Sequence, residues 1–251
     1  MLSKAKIKFV KSLQIKKYRK QEQCFVVEGV KSVQELLASD FEVVMLVATN
    51  EFLANNRLPN SAEIIEATDK ELASLGEFQS NDSVLAVARI KVPSRLDPGP
   101  KEFALVLDDI RDPGNLGTII RTADWFGISK IIASEETADF YNPKVIASTM
   151  GSFTRCGIFY TDLATYLESK RGTRMFGAVL DGKDVHTVDF GSGGLIVIGN
   201  ESRGISNDLA GFITDRITIP KYGKAESLNA AMATGIICDN LRRGGVEKLG
   251  S

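Results

Sequence analysis

Cysteine is scarce in this chain: Cys24, Cys156 and Cys238 are scattered and odd in number. No CxxC pair joins them, so neither a disulfide framework nor a zinc site is indicated. A reducing cytoplasm is the expected compartment. No run approaches the roughly 18 to 20 apolar residues that a membrane span needs. The basic start, MLSKAKIKFVK, has too short and broken an apolar part for a secretory signal. His186 is the single histidine, so a Ser-His-Asp or Cys-His device would have to use it, and nothing near it in sequence fits. No GxGxxG follows a strand-like run, and no GxxxxGKS or GxxxxGKT occurs, so the common nucleotide fingerprints fail. GNESRG (199–204) has one residue too many for a GxSxG nucleophile elbow. No cluster of potential ligands suggests a metal.

What is present is an uneven charge distribution. Net charge is −1, but residues 1–20 hold Lys4, Lys6, Lys8, Lys11, Lys16, Lys17, Arg19 and Lys20 and no acid. The rest of the chain carries the other 23 basic residues against 32 acidic ones, a net −9. A basic arm on an acidic body suggests a polyanion partner, with a solvated helix face as the alternative.

Periodicity predicts two α/β layered domains in series. Residues 3–20 read as one basic amphipathic helix followed by a loop. CFVVEG (24–29), FEVVMLVAT (41–49), EIIEA (63–67) and SVLAVARI (83–90) read as strands. Helices fall between them, one carrying Val30, Val33, Leu36 and Leu37 and one capped by Asp69. KVPSRLDPGPK (91–101) holds three of the seven prolines. Proline disfavours both helix and central strand, so a linker is expected at 92–101, between domains at 1–91 and 102–251. Beyond it, strands are expected at 103–110, 130–134, 174–180, 194–200 and 215–220, and helices after Asp112-Pro113 and at 143–150, 161–170 and 226–243.

Three segments end in polar residues and glycines. DDIRDPGNLGTIIR (108–121) places Asn115 and Gly117 in a first helical turn. Arg121 lies off the stripe of Leu116, Ile119, Ile120 and Ala123. IVIGNESRG (196–204) runs an apolar strand into a turn at the kind of strand end where open α/β sheets bind ligands. ITIPKYGKAESLNAAMATGIICDNLRR (217–243) places Asn229 in the first turn of a helix beginning at Glu226 or Ser227. Each segment alone is also consistent with ordinary capping, turning or core packing.

In this order and spacing the three segments resemble the motifs of the SpoU branch of the SPOUT methyltransferases. Asn115, Gly117 and Arg121 match N-x-G-x-x-x-R. Gly199, Glu201 and Gly204 match G-x-E-x-x-G. Ile219, Pro220, Ser227, Leu228 and Asn229 match the I-P and S-L-N elements. NPKVIASTMGSFTR (142–155) is similar to the family's intervening segment, and the catalytic resemblance spans about 103–243. The first domain, with FVVEG (25–29), is similar to the substrate-binding domains of two-domain members.

The resemblance implies an α/β domain with a parallel sheet and a deep trefoil knot, preceded by a small α/β/α RNA-binding domain. It implies an obligate homodimer without a metal, and S-adenosylmethionine held by Gly199, Ile219 and Leu228, with Leu180 and Gly204 beside them. The implied activity is transfer of a methyl group to a ribose 2′-OH, with ribosomal RNA preferred. Transfer RNA, base N-methylation and a non-catalytic RNA-binding or dimerisation role are the alternatives. Arg121 is the implied catalytic residue, held in place with the ribose by Asn115, Glu201, Ser227 and Asn229. On chemical grounds a guanidinium is too weak an acid to serve readily as a base, and suits better the role of orienting a phosphate and stabilising charge at O2′. Lys16, Lys17, Arg19 and Lys20 are the expected RNA-backbone contacts of the first domain.

Overall fold

In a computed structural model, residues 2–77, 83–92 and 94–243 are described. The chain divides into two compact units, Met1–Val92 with Asp139–Thr154, and Pro93–Ala138 with Arg155–Ser251.

The first unit runs α1 (Lys4–Ser12), α2 (Lys16–Glu22), β1 (Cys24–Glu28), α3 (Val30–Leu37), β2 (Val43–Ala48), α4 (Asn50–Asn55), β3 (Glu63–Glu66), α5 (Asp69–Leu75) and β4 (Val84–Arg89). Its sheet has the order β1-β4-β2-β3, with β4 antiparallel to both neighbours and β2 parallel to β3. Strand side chains alternate between faces. Cys24, Val26, Met45, Val47, Leu85 and Val87 join Val10 and Leu13 from the first helix region and Leu72 and Leu75 of α5 in one core. Phe25, one position out of phase with that set and so on the opposite face, meets Phe41, Tyr141 and Phe153. Residues 139–154, expected with the second domain, thus cluster with the first unit.

The expected single arm helix is two. Arg19 explains the break: its Nη1 donates to the carbonyls of Leu13 and Gln14, both at 2.8 Å, satisfying acceptors that a continuing helix would have used. The cap of α5 is Thr68 rather than Asp69. Its hydroxyl accepts from the Glu71 amide while the Glu71 carboxylate accepts from the Thr68 amide, a capping box.

The second unit's elements are β5 (Phe103–Leu107), α6 (Pro113–Trp125), β6 (Lys130–Ala133), β7 (Gly157–Tyr160), α8 (Leu163–Glu168), β8 (Met175–Asp184), β9 (Gly194–Ile198), α9 (Asn207–Ala210), β10 (Asp215–Thr218) and α10 (Ala230–Arg243). The intervening α7 (Pro143–Thr149) lies in the first unit. Six strands pair in the order β10-β8-β9-β5-β6-β7, every pair parallel. β5 and β9 are buried along their whole length, as parallel strands covered on both faces must be. The chain moves from β5 outward to β7, then returns to lay β9 on the other side of β5. That reversal puts the carboxyl ends of β5 and β9 side by side at a topological switch point.

Three expectations shift here. The 226–243 helix starts at Ala230, because the Asn229 side chain accepts from the amides of Ala231 (3.0 Å) and Met232 (3.3 Å) and so caps it. β7 and α9 had no clear periodic signal: GIFY is short and half-buried throughout, and NDLA is a single turn. The expected linker is fastened where it is described. Arg95 pairs with Asp97, Lys170 pairs with Asp97 at 2.8 Å, and Tyr166 donates its hydroxyl to the Leu96 carbonyl at 2.7 Å. Pro93 of that linker lies outside the described residues, as do residues 244–251 of the expected second domain. Among the described residues, no helix is long and apolar enough to cross a membrane and no group of side chains is arranged to hold a metal.

Candidate active site

The site is built at the carboxyl ends of β5 and β9 and the start of α10. Asp112 caps α6, accepting from the Asn115 amide at 2.7 Å, with Pro113 in the first turn. That fixes the Asn115 side chain at the mouth of the helix. Its Nδ2 donates to Glu201 Oε1 at 2.6 Å, and its Oδ1 accepts from Asn229 Nδ2 at 2.9 Å. One residue from each sequence motif therefore joins a single hydrogen-bonded chain, Asn229–Asn115–Glu201. The amide dipole of Asn115 can satisfy this donor–acceptor order in one orientation only.

Arg121 lies six residues along α6, about 9 Å along the axis. It is exposed, and it forms no ion pair or hydrogen bond among the described residues. The apolar stripe below it, Leu116, Ile119, Ile120 and Ala123, is buried as expected. Gly127 follows α6 with φ +68°, a left-handed residue past the helix end. Arg242 from α10 donates to the carbonyls of Phe126 (2.7 Å) and Gly127 (3.2 Å), joining the two helices that carry Arg121 and Asn229.

The scaffolding of the site escaped sequence reasoning. Asp108 accepts from the Ser206 amide at 2.7 Å, tying β5 to the turn after β9. Asn200 exchanges backbone hydrogen bonds with Gly204, and its side-chain oxygen accepts from the amides of Ser202 (2.9 Å) and Arg203 (3.3 Å). It shapes the turn that presents Glu201. The sequence signal was Asn two residues before Ser in a glycine-flanked turn, which is Asx-turn chemistry. Asp109 adopts φ +59°, unusual for a residue other than glycine, and its carboxylate pairs with Arg111 and Arg203.

The expected cofactor residues fall on three neighbouring segments. Leu180 is 80% exposed and Leu228 is exposed, while Ile219 and Gly199 are half-buried. Thr218 donates its hydroxyl to the Leu180 carbonyl, holding β10 to β8 beside the excursion where β8 residues 178–182 leave register. A Cβ on Gly182 would lie 2.6 Å from backbone atoms of Arg216 and Ile217, and one on Gly199 would overlap the Gly204–Ile205 peptide. These glycines permit backbone approaches that no other residue allows. Among the described residues, no hydrogen bond engages the backbone amide of Ile219 or Leu228. Ser227 is exposed and outside the Asn229–Asn115–Glu201 chain, and Gly204 is exposed with φ +68°.

In the first unit, Lys16, Lys17 and Lys20 are exposed. Arg19 is not: it is 2% exposed, and besides capping α1 it pairs with Asp139 at 2.6 Å. Its guanidinium is consumed inside the unit, which corrects the expectation that it contacts RNA. His186 Nδ1 donates to the Asn240 Oδ1 of α10 at 2.9 Å and stands apart from the motif residues.

The comparisons with known proteins agree with this geometry. Residues 102–239 match the model of the SpoU rRNA Methylase family, and residues 4–86 match the MRM3-like substrate binding domain. The chain is 29% identical over 240 residues to the 23S rRNA (guanosine(2553)-2′-O)-methyltransferase RlmP of Bacillus subtilis, covering 94% of this chain and 96% of that protein. It superposes on a TrmH-family protein from Porphyromonas gingivalis with a TM-score of 0.87 at 37% identity, covering 97% and 99% of the two chains. An AdoMet-bound rRNA methyltransferase from Sinorhizobium meliloti gives a TM-score of 0.88 at 30% identity, covering 98% and 97%. Three motifs converging on one hydrogen-bonded chain, and a family match over more than half its length, make this protein a member of the SpoU rRNA Methylase family.

Proposed function

We propose that this protein transfers a methyl group from S-adenosylmethionine to a ribose 2′-OH of a structured RNA, with ribosomal RNA as the substrate class. The observation that carries the reading is the Asn229–Asn115–Glu201 chain with an exposed, unpartnered Arg121 on the same helix as Asn115. Relatives named for ribosomal RNA match over both units of the chain.

The residues present fit the cofactor. Exposed Leu180 and Leu228 and half-buried Ile219 offer apolar surface, and the unengaged amides of Ile219 and Leu228 offer donors, beside glycines that admit close approach. When bound, S-adenosylmethionine supplies an electrophilic methyl group on a sulfonium. The protein's own task is to bring O2′ into line with it and to stabilise the charge that develops on that oxygen. Arg121 has its full set of donors available for O2′ and the adjacent phosphate. The Asn229–Asn115–Glu201 chain fixes the start of α6, from which Arg121 is measured. Ser227 stands on the segment leading to Asn229, close in sequence to Leu228, and supports binding of the ribose.

The same reading includes three further parts. The tight passages at Gly182 and Gly199 support threading of the chain through a knot. A second copy of the chain covers α6 and α10, where Trp125 (84% exposed) and Met232 (62% exposed) face outward. Exposed Lys16, Lys17 and Lys20, with Tyr18 among them, engage RNA backbone from the first unit. Three buried, unpaired cysteines agree with a cytoplasmic location. Mapping 2′-O-methyl sites across all cellular RNA with and without this gene tests the function. Loss of one or more ribosomal-RNA sites is expected. Loss confined to transfer RNA would replace the substrate class, and no change in any RNA would refute the activity.

A further inference from the structure

The carboxyl edge of the second unit's sheet carries a feature that the transfer reaction described above does not use. Asp109 leaves β5 in a left-handed conformation, φ +59°. Its backbone is held from both neighbouring strands. Its amide donates to Ser134 Oγ at 3.0 Å, just past β6, and its carbonyl accepts from Asn200 Nδ2 at 2.9 Å, just past β9. The carboxylate is thereby aimed along the strand ends and shared between two arginines. Oδ1 accepts from Arg111 Nε, and Oδ2 accepts from Arg203 Nη2 at 3.0 Å. The Asp109 side chain is 16% exposed, whereas those of Arg111 and Arg203 are 61% and 68% exposed.

Two properties of this triad point outward. Each guanidinium spends one of its five N–H donors on Asp109 in these bonds, so most of each fork still faces solvent. The triad has two positive charges and one negative, leaving a net +1 that a single phosphodiester would neutralise. Three other carboxylates of this edge are turned to amide donors: Asp108 to the Ser206 amide, Asp112 to the Asn115 amide and Glu201 to the Asn115 side chain; Glu136, past β6, is the further acid whose charge acts on Arg111. Arg203 lies two residues after Glu201 in the same Asn200–Gly204 turn, and Arg111 lies four residues before Asn115. The pair therefore flanks the hydrogen-bonded chain of the candidate active site. An ordinary surface salt bridge contributes little to stability, and does not require a left-handed aspartate tied to three strand ends.

We propose that Arg111 and Arg203 form a clamp for one RNA phosphodiester next to the target ribose, with Asp109 as the positioning residue that holds the two forks at a fixed separation. The clamp rests on the RNA methyltransferase reading above. It sets the register of the strand, so its contribution lies in RNA binding rather than in the chemical step. Asp109 touches no substrate and acts through the two arginines.

The test uses the full chain with protein-free ribosomal RNA and tritiated S-adenosylmethionine. In Arg111→Ala/Arg203→Ala, KM for RNA should rise about tenfold or more. The slope of log affinity against log salt should fall by about 1 to 2, the loss of one to two phosphate contacts. The turnover number at saturating RNA should stay within about threefold and S-adenosylmethionine affinity should be unchanged. Arg111→Lys/Arg203→Lys keeps both charges and should restore the salt slope but only part of the KM, since lysine lacks the fork. Asp109→Asn should raise KM without flattening the slope. A wild-type protein that methylates the RNA, beside an alanine pair with unchanged KM and slope, overturns the clamp alone. Should the alanine pair fail to fold, a lysine pair with wild-type KM overturns it equally. A wild-type protein that methylates no RNA overturns the function, and the clamp with it.

Discussion

The Asn115 amide is the middle link between Glu201 and Asn229, donating to one at 2.6 Å and accepting from the other at 2.9 Å. Because amide and carboxylate are nearly isosteric, this link can be broken by charge alone. Asn115→Asp sets a second carboxylate against Glu201, which loses its donor, while the Asn229 amide can still donate to the new carboxylate. It should destabilise the chain by about 1–3 kcal/mol, the penalty for stranding partly buried polar groups, and cost more activity than Asn115→Ala. Adding Glu201→Gln should restore part of the loss by supplying a donor. Urea unfolding and methyl-transfer assays of the two singles and the double check this. Independent, additive effects would show that the chain does not act as a unit.

Arg121→Ala should lower the methyl-transfer rate by about two to four orders of magnitude, the scale of a lost charge-stabilising or proton-transfer group. S-adenosylmethionine affinity should change little, and Arg121→Lys should rescue poorly. Stability should also be unaffected, because the side chain is exposed and unpartnered. Single-turnover kinetics on saturated enzyme decides. A variant retaining more than about a tenth of the rate, a difference of only ~1.4 kcal/mol, shows that Arg121 is not the catalytic residue.

Arg19 and its lysine neighbours should separate cleanly. Arg19→Ala leaves Asp139 without its cation and the Leu13 and Gln14 carbonyls without their donor, and should cost about 3 kcal/mol of stability in the manner of a broken buried pair. Lys16→Ala/Lys17→Ala/Lys20→Ala should leave the melting temperature almost unchanged and flatten the salt dependence of RNA binding. Calorimetry and RNA titration at several salt concentrations provide both readouts. The reverse pattern would return Arg19 to the RNA surface.

Trp125, the single tryptophan, gives the dimer a spectroscopic signature. Being 84% exposed in the isolated chain, it should show blue-shifted emission at micromolar concentration if a second copy covers α6. Dilution or Met232→Glu should shift the emission red, with sedimentation reporting a change from two chain masses to one. A solvent-exposed spectrum at all concentrations, with one chain mass, refutes the dimer.

Alkaline pH should destabilise the fold. Burial pushes the Cys156 and Cys238 thiols up to about 12 and the Tyr141 phenol up to about 12, because the charged forms are poorly solvated. Each group keeps its proton in the folded chain where the unfolded chain releases it, so stability is lost as pH rises through the unfolded values, from about 8.5 for cysteine and 10 for tyrosine. Urea midpoints should fall progressively between pH 8.5 and 11. The two thiols should resist alkylation at pH 8 until the chain unfolds. Rapid labelling of native protein would show that they are not held this way.

Much of this architecture was legible because burial imposes period. The stripe Leu116, Ile119, Ile120 and Ala123 marked α6, and the continuous apolar runs marked β5 and β9. Motif residues were legible as a resemblance, and Asn115, Glu201 and Asn229 do converge. The rest depended on contacts distant in sequence. Arg19 looked like one more cation of a basic arm, and nothing local announces a partner 120 residues away at Asp139. The start of α10 was placed too early because Glu226 and Ser227 are acceptable caps, while Asn229 is the cap that also reaches Asn115. Asp109 carried no signal at all, since its strain is a property of three strand ends meeting.

The strand order β10-β8-β9-β5-β6-β7 also has a history in time. β5 emerges early from the ribosome with one edge bare, and the partner for that edge, β9, follows nearly ninety residues later. At translation speeds of about 5–20 residues per second, that edge waits roughly five to twenty seconds. Asn229, needed to complete the hydrogen-bonded chain, comes later still. A nascent chain of this protein therefore carries a sticky, half-paired sheet through about a third of its synthesis, and gains a competent centre only once almost everything described has been made. Truncated products should be chaperone clients and never weak enzymes.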